Sequence, residues 1–288
     1  MVIMRIKGGL GNQLFQYASA YALSKRLNQK LVFDPSFTAN MTARGYKLPL
    51  LRVDTDEIVF MEQLPKKVTF LKNLYVNKAC RMLNLAKHDC GSCVYWLETK
   101  DEWQPDFFSI EEDNLYVDGY FQSENYFKQH RKELLKQIQP KYEAEQDYLK
   151  ALSDIQRYNS VAVHVRRSDF KKDNCEFHYL LDETYYQHAI QKIRTEVENP
   201  VFFWFSDDME WVKEHIGASN DFHFMCIKTK HGDIDDMMLM KNCKHIITAN
   251  STFSWWAAWL NEHEDAIRIV PKKPYGMEGM IPENWNKV

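Results

Sequence analysis

The sequence predicts an α/β protein made of two Rossmann-like parallel-sheet domains facing a cleft. Three observations lead there. Short, nearly unbroken apolar runs such as Val161-Ala162-Val163-His164-Val165 match strands buried on both faces. These runs alternate with segments whose apolar residues recur at helical spacing, which is the rhythm of βαβ units. That rhythm opens the chain, fades, and restarts after a polar stretch at 141–159. A chain of 288 residues accommodates two such domains, with expected extents of 1–150 and 151–288.

Taken in order, residues 3–7 read as a strand ending at Gly8-Gly9. Leu14, Ala18, Tyr21, Ala22 and Leu27 share one face of the helix that follows. Residues 31–33 form a short buried strand closed by Asp34-Pro35, completing a β-loop-α-β unit. The weakly patterned region 38–113 reads as loops and helices. Residues 115–118 read as a strand, 124–139 as a helix stopping near Pro140, and 141–159 as polar helix containing the domain boundary. The second half is clearer. Strands are expected at 161–165, 201–205, 222–226, 245–248 and 267–270, with helices at 183–198, 208–215, 235–242 and 253–260. Such alternation implies a doubly wound sheet.

Lys and Arg number 37 against 40 Asp and Glu, so no strong field draws in polyanions, and nucleic acid is not an expected partner. No apolar run reaches the ~18–20 residues of a spanning helix, and the first residues lack the apolar stretch of a signal peptide. A cytoplasmic location is expected, compatible with peripheral association at a membrane-bound assembly. Of six cysteines only Cys90-Gly-Ser-Cys93 has C-x-x-C spacing, with no second pair to complete a zinc ribbon, so reduced thiols are expected. The many aromatics read first as core rather than as sugar platforms.

Three segments carry most of the chemistry. Gly8-Gly9-Leu10-Gly11-Asn12-Gln13 lets backbone approach a ligand at the positive end of a helix. With Asp34 it imitates a dinucleotide fingerprint, but Leu14 stands where the third glycine belongs. A tight turn explains the glycines alone, whereas the carboxamides of Asn12 and Gln13 suit sugar hydroxyls or phosphate.

His164-Val165-Arg166-Arg167-Ser168-Asp169 lies where a strand ends, the edge at which open α/β sheets bind ligands. Alternation sends His164 and Arg166 to one side and Arg167 to the other. Two guanidiniums there suit a pyrophosphate, with Asp169 placed to hold one of them. Asn250-Ser251-Thr252-Phe253-Ser254 opens a helix. Ordinary N-capping explains one hydroxyl, and the cluster suits a phosphate. Trp255, Trp256 and Trp259 read as core.

Ser206-Asp207-Asp208 follows a further strand. Asp233, Asp235 and Asp236 either complement a helix dipole or hold a divalent metal. Asp235 or Asp236 also suits a guanine edge. Because the arginines can neutralise a diphosphate unaided, no metal is expected.

The segments GGLGNQLFQYA, VAVHVRRSDF, FFWFSDD and ANSTFSWWAAWL occur in this order and span nearly the whole chain. Together they resemble the α-1,2-fucosyltransferases of glycosyltransferase family 11, and the bacterial branch that builds polysaccharide or O-antigen side chains. The resemblance implies a GT-B fold, GDP-fucose as co-substrate with no other cofactor, no metal, and inverting transfer. The acceptor it implies is the 2-hydroxyl of a terminal galactose, in an oligosaccharide or a lipid-linked glycan. It also implies Arg166 on the β-phosphate, His164 and Asp236 on the guanosine, and Ser251, Thr252 and Phe253 as phosphate and base loop. Asn12 becomes the donor-side amide. Arg166, Asn12 and Asp169 form the expected catalytic set; Gly11, Gln13, Arg167, Asp207, Asn250 and Ser254 complete the donor site. The family often has Gly in place of Ser168.

In such a transfer, charge grows on the departing β-phosphate, where Arg166 and the helix start near Ser251 would stabilise it. The residues do not single out a proton acceptor; Asp169 and Asp34 are candidates. Rival readings are another GDP-sugar or fucosyl linkage, a nucleotide-dependent oxidoreductase, and a non-catalytic carbohydrate-binding protein.

Overall fold

The chain divides into two units, Met1–Tyr142 and Glu143–Val288. The computed structural model describes residues 1–38, 45–54, 57–167, 179–272 and 278–288. The division falls ahead of residue 150 because the helix Gln146–Gln156 packs within the second unit, against Gly232–Asn242.

In the first unit, β1 (Val2–Arg5), α1 (Leu10–Leu27) and β2 (Leu31–Asp34) form the expected β-loop-α-β unit, with Val2 of β1 beside Leu31. α1 is buried almost all round, so its polar side chains must find partners inside the protein. Gln16 accepts from the Lys7 N–H at 3.0 Å and donates to the Gly119 carbonyl at 3.1 Å.

α2 (Lys66–Leu71), α3 (Leu74–Met82), β3 (Lys87–Asp89), β4 (Val94–Leu97), β5 (Leu115–Asp118) and α4 (Arg131–Gln137) follow. Strand order among the described residues is β2-β1-β5-β4-β3, parallel except for β3. The expectation of loops and helices over 38–113 is therefore corrected, since β3 and β4 lie there. Four residues of β4 are too short a run to display a period. The Cys90–Cys93 spacing belongs to the β3–β4 turn, where the Cys90 N–H meets the Cys93 carbonyl at 2.9 Å and Gly91 has φ +82°. The helix expected over 124–139 is broken into single 3-10 turns, Glu124–Tyr126 and Lys128–His130, before α4.

Glu98, just past β4, accepts from the N–H groups of Tyr120 at 2.6 Å and Phe121 at 2.9 Å. Burial pushes its carboxyl up to about 7. Phe121 sits at φ 54°, a left-handed conformation that needs such support. Glu98→Ala strands these amides, so a loss of about 2–4 kcal/mol is expected in urea unfolding. An unchanged midpoint would contradict this role.

The second unit contains α5 (Gln146–Gln156), β6 (Asn159–Val165), α6 (Glu183–Glu196), β7 (Pro200–Ser206) and α7 (Met209–Trp211). It continues through β8 (Phe222–Phe224), α8 (Gly232–Asn242), β9 (His245–Ile247), α9 (Thr252–Leu260), β10 (Arg268–Val270) and β11 (Asn286–Lys287). Strand order is β11-β10-β9-β6-β7-β8, all parallel. The doubly wound reading stands, with β11 added. The helix expected over 208–215 is one α turn relaxing into the wider turn Val212–Ile216. Val161, Val163, Phe202, Trp204, Tyr186 and Ile193 pack one face of the sheet. Trp255, Trp256 and Trp259 are buried.

Followed along the chain, the second sheet reverses direction once and the first twice. In the first unit β2 and β5 lie on opposite sides of β1; in the second β7 and β9 lie on opposite sides of β6. The crevice beyond the carboxyl ends at such a reversal is where open α/β sheets bind ligands. Among the described residues no helix is long and apolar enough to cross a membrane.

Candidate functional site

The second unit's reversal point lies between β6 and β9. β6 is in register with β7 through Val165 and Ser206, and with β9 through Val163 and Ile247. Continuing those registers places Arg166 between Asp207 on one flank and the segment leading to Ser251 on the other. Arg166 meets Asp207 Oδ2 at 3.0 Å, and its side chain stays 31% exposed. Asp207 Oδ1 also accepts the Arg167 N–H at 2.9 Å. Asp207 thus holds the Arg166 side chain and the Arg167 backbone together; Asp169, expected to hold an arginine, lies with Ser168 outside the described residues.

Arg167 turns to the opposite face, as alternation demands. Its guanidinium lies 4.0 Å from the Trp211 ring centroid, and its Nε is 3.6 Å from Asp208 Oδ2. The expected two-arginine clamp is therefore divided. Arg166 presents its charge at the edge, and Arg167 braces the strand end against α7.

His164 is 4% exposed, with its ring centroid 5.4 Å from that of Phe253. This contact ties the β6 end to the α9 tip. Burial, then the charge of Arg166, pushes the imidazole down to about 3, so it is neutral at working pH. Its Nδ1 and the buried Thr248 Oγ1 have no hydrogen-bond partner among the described residues, and neither does Arg167 Nε. Continuing the β6–β9 register sets His164 beside Thr248, so two of these atoms meet at this edge, a pattern that fits a site completed by a ligand, whereas Arg167 Nε lies on the opposite face near Asp208.

The sign of the His164 shift sets a pH effect. Below 6.5 the unfolded imidazole takes up a proton that the folded one refuses until about 3. Stability from this group is full above 6.5 and falls as pH drops, by up to about 1.4 kcal/mol per pH unit. His164→Leu is expected to flatten the acid side of the stability curve. Equal slopes in urea unfolding for variant and parent between pH 6.5 and 5 would contradict this.

At the α9 tip, Ser251 Oγ accepts the Phe253 N–H at 3.3 Å as an N-cap. Ser254 Oγ accepts the Ala249 N–H at 3.1 Å and donates to the Ser251 carbonyl at 3.3 Å. Fully buried, Ser254 shapes the tip from behind. Asn250 donates to the Tyr179 carbonyl at 3.3 Å, and Thr252 is nearly buried. α8 starts from the same sheet edge, following β8. Of its acids, Asp235 is buried and accepts from the Thr229 hydroxyl. Asp236 is half-buried, its carboxyl pushed up to about 7 by burial, then by Asp235 and Asp233.

In the first unit the glycine loop is held from inside. Gln13 is fully buried. It donates to the carbonyls of Gly8 at 3.0 Å and Gly45 at 2.9 Å, and accepts the Lys47 N–H at 2.9 Å. Its amide is thereby committed to the loop. Asn12 Oδ1 accepts from Gln122 at 2.9 Å and remains half-buried, while Gly11 is buried within α1. Gly8 has φ +80°, and a Cβ there would lie 2.6 Å from Asn12 Nδ2, so the glycine is required.

Asp34 does not qualify as a proton acceptor or a ribose contact. It has no exposed surface and takes hydrogen bonds from Lys72, Tyr116 and the Ser36 N–H. The residues missed from sequence centre on Asp118, also fully buried. It accepts from Arg5, Lys7 and Tyr95 at 2.6 Å each and from Asn77 at 3.2 Å. Arg5 breaking an apolar strand was the one available signal. Cavities of about 570 Å³ beside Trp96 and Trp103, and about 480 Å³ beside Phe203 and His223, include neither Arg166 nor Ser251.

The profile of Glycosyl transferase family 11 matches residues 1–286. An alpha-1,2-colitosyltransferase of Escherichia coli is 33% identical, the match covering 100% of this chain and 99% of that one. The O-antigen biosynthesis glycosyltransferase WbnK of Escherichia coli is 30% identical over 93% of each chain. The crystal structure of NodZ alpha-1,6-fucosyltransferase soaked with GDP-fucose shares the fold, with a TM-score of 0.56 at 16% identity over 90% of this chain and 91% of that one. The two Rossmann-like units are thus GT-B-like. A profile running through both units, and relatives matched over nearly their full length, establish that the chain belongs to glycosyl transferase family 11.

Proposed function

We propose that the chain transfers fucose from GDP-fucose, with inversion, to the 2-hydroxyl of a terminal galactose in a bacterial polysaccharide or O-antigen glycan, acting in the cytoplasm. The observation that carries this reading is the Arg166 guanidinium, held by Asp207 but still exposed, at the reversal point where α9 begins. A fork of donors on a held cation grips a diphosphate without a metal. The relative named for α-1,2 transfer supports the linkage.

In the proposed step the acceptor oxygen attacks the anomeric carbon as the bond to the β-phosphate oxygen breaks. The electron pair leaves with GDP, and the hydroxyl proton passes to a base or to the departing phosphate. Arg166 and the α9 tip meet the growing phosphate charge. Neutral His164 and Asp236 face the nucleoside, and Asp169 remains the candidate base. The glycine loop with Asn12 supplies the donor-side amide.

A relative that transfers colitose favours one second reading. Colitose is fucose without its 3-hydroxyl, so GDP-colitose is the specific competitor as donor. The test supplies GDP-fucose or GDP-colitose with lactose, in the presence and absence of EDTA, and reads product mass and linkage. A 1,2-linked fucosyl product, at a rate indifferent to EDTA, is expected. Product from GDP-colitose alone would replace the donor, another linkage would replace the acceptor position, and loss in EDTA restored by Mn²⁺ would end the metal-free mechanism.

A further inference from the structure

Residues 64–88 contain six cations, Lys66, Lys67, Lys72, Lys78, Arg81 and Lys87, and no Asp or Glu, in a chain of net charge −3. Three of the six are neutralised locally: Lys72 by Asp34, Arg81 by Asp101 and Lys87 by Glu112. Lys66, Lys67 and Lys78 are exposed and have no ion pair among the described residues. Lys67 donates to the Asp89 carbonyl, a neutral group.

The hairpin of α2 and α3 buries Val68, Leu71 and Cys80 in the core of the first unit, yet it also carries large apolar side chains on its surface. α3 packs Cys80 and Asn77 inward, Asn77 reaching Tyr95 and Asp118. Its outer face carries Leu74 at 76% exposure, Tyr75 at 82% and Met82 at 78%, with Phe70 and Leu83 also exposed. An isolated exposed leucine is ordinary, but five large apolar side chains on one helical hairpin are not.

The geometry points to this face as a docking surface for an anionic lipid bilayer. Apolar side chains flanked by lysines enter the boundary between headgroups and acyl chains while the ammonium groups meet lipid phosphates. A second copy of the chain fits less well, because a two-fold contact through this face would set its lysines against one another. The inference stands apart from the donor chemistry.

Sedimentation of the full chain with vesicles tests it. Binding is expected to mixed phosphatidylglycerol–phosphatidylcholine vesicles, and to be lost on pure phosphatidylcholine or in high salt. The triple variant Lys66→Glu, Lys67→Glu, Lys78→Glu should weaken partition about a hundredfold. Leu74→Ser, Tyr75→Ser, Met82→Ser should also abolish sedimentation. All these positions are exposed, so unfolding midpoints should be unchanged. No binding to the phosphatidylglycerol vesicles, or binding undiminished in both variants, would overturn the proposal. Self-association removed by the serine variant without vesicle binding would overturn it in favour of a second copy.

Discussion

Arg166→Ala is expected to lower turnover at saturating GDP-fucose by about 10²–10³-fold while leaving the unfolding midpoint nearly unchanged. The guanidinium is 31% exposed and its partner Asp207 20% exposed, so removing the arginine leaves a carboxylate that still reaches water. Its effect belongs to the transition state, where the departing phosphate is more negative than in the bound donor. The loss should therefore fall on kcat more than on KM. Arg166→Lys keeps a charge but loses the planar fork and should rank between alanine and parent. Asp207→Asn should act in the same direction, more weakly, since it loosens the arginine without removing it. Turnover of Arg166→Ala within several-fold of the parent would refute the role.

Asp118→Ala is expected to reduce stability by about 3–5 kcal/mol. The alanine would leave Arg5 and Lys7, both largely buried, without the carboxylate that compensates them, and Tyr95 without its acceptor. The gain from the intact cluster is not the issue; a stranded charge in a low-dielectric interior is what destabilises. In the parent, Lys7 and Arg5 hold the Asp118 carboxyl well below its ordinary 3.8 despite burial. The unfolded carboxyl binds protons first, so this contribution is complete above the ordinary carboxylate range and is lost as pH falls below it. Urea unfolding of both proteins at neutral pH measures the difference, and a loss under about 1 kcal/mol would show that Arg5 and Lys7 reach water or other partners.

The second unit was the more legible in sequence because its strands are buried on both faces and read as apolar runs, as residues 159–165 and 200–206 do. The edge that carries Arg166 follows from strand parity, and the opposite direction of Arg167 follows from the same rule. What parity does not give is the partner. Asp207 is 41 residues from Arg166, and the two meet only because β6 and β7 are parallel and in register. The first unit was harder for the same reason. Asp34, Lys72, Tyr116, Asp118, Arg5 and Tyr95 are scattered along the chain, and each alone resembles a surface residue. They become an interior network only when β2, β1, β5 and β4 lie side by side. Gln13 and Ser254 illustrate a further limit. Their types suit a ligand, but their hydrogen bonds are consumed in shaping the loops that carry them.

The central claim is that the diphosphate of the donor rests at the second unit's reversal point, against Arg166 and the tip of α9. A crystal structure of the protein with GDP tests this most directly. The account predicts β-phosphate oxygens within hydrogen-bond reach of the Arg166 guanidinium, close to the Ser251-Thr252-Phe253 turn, with the base toward His164. A diphosphate bound elsewhere, with Arg166 still closed on Asp207 and the α9 tip empty, would contradict it.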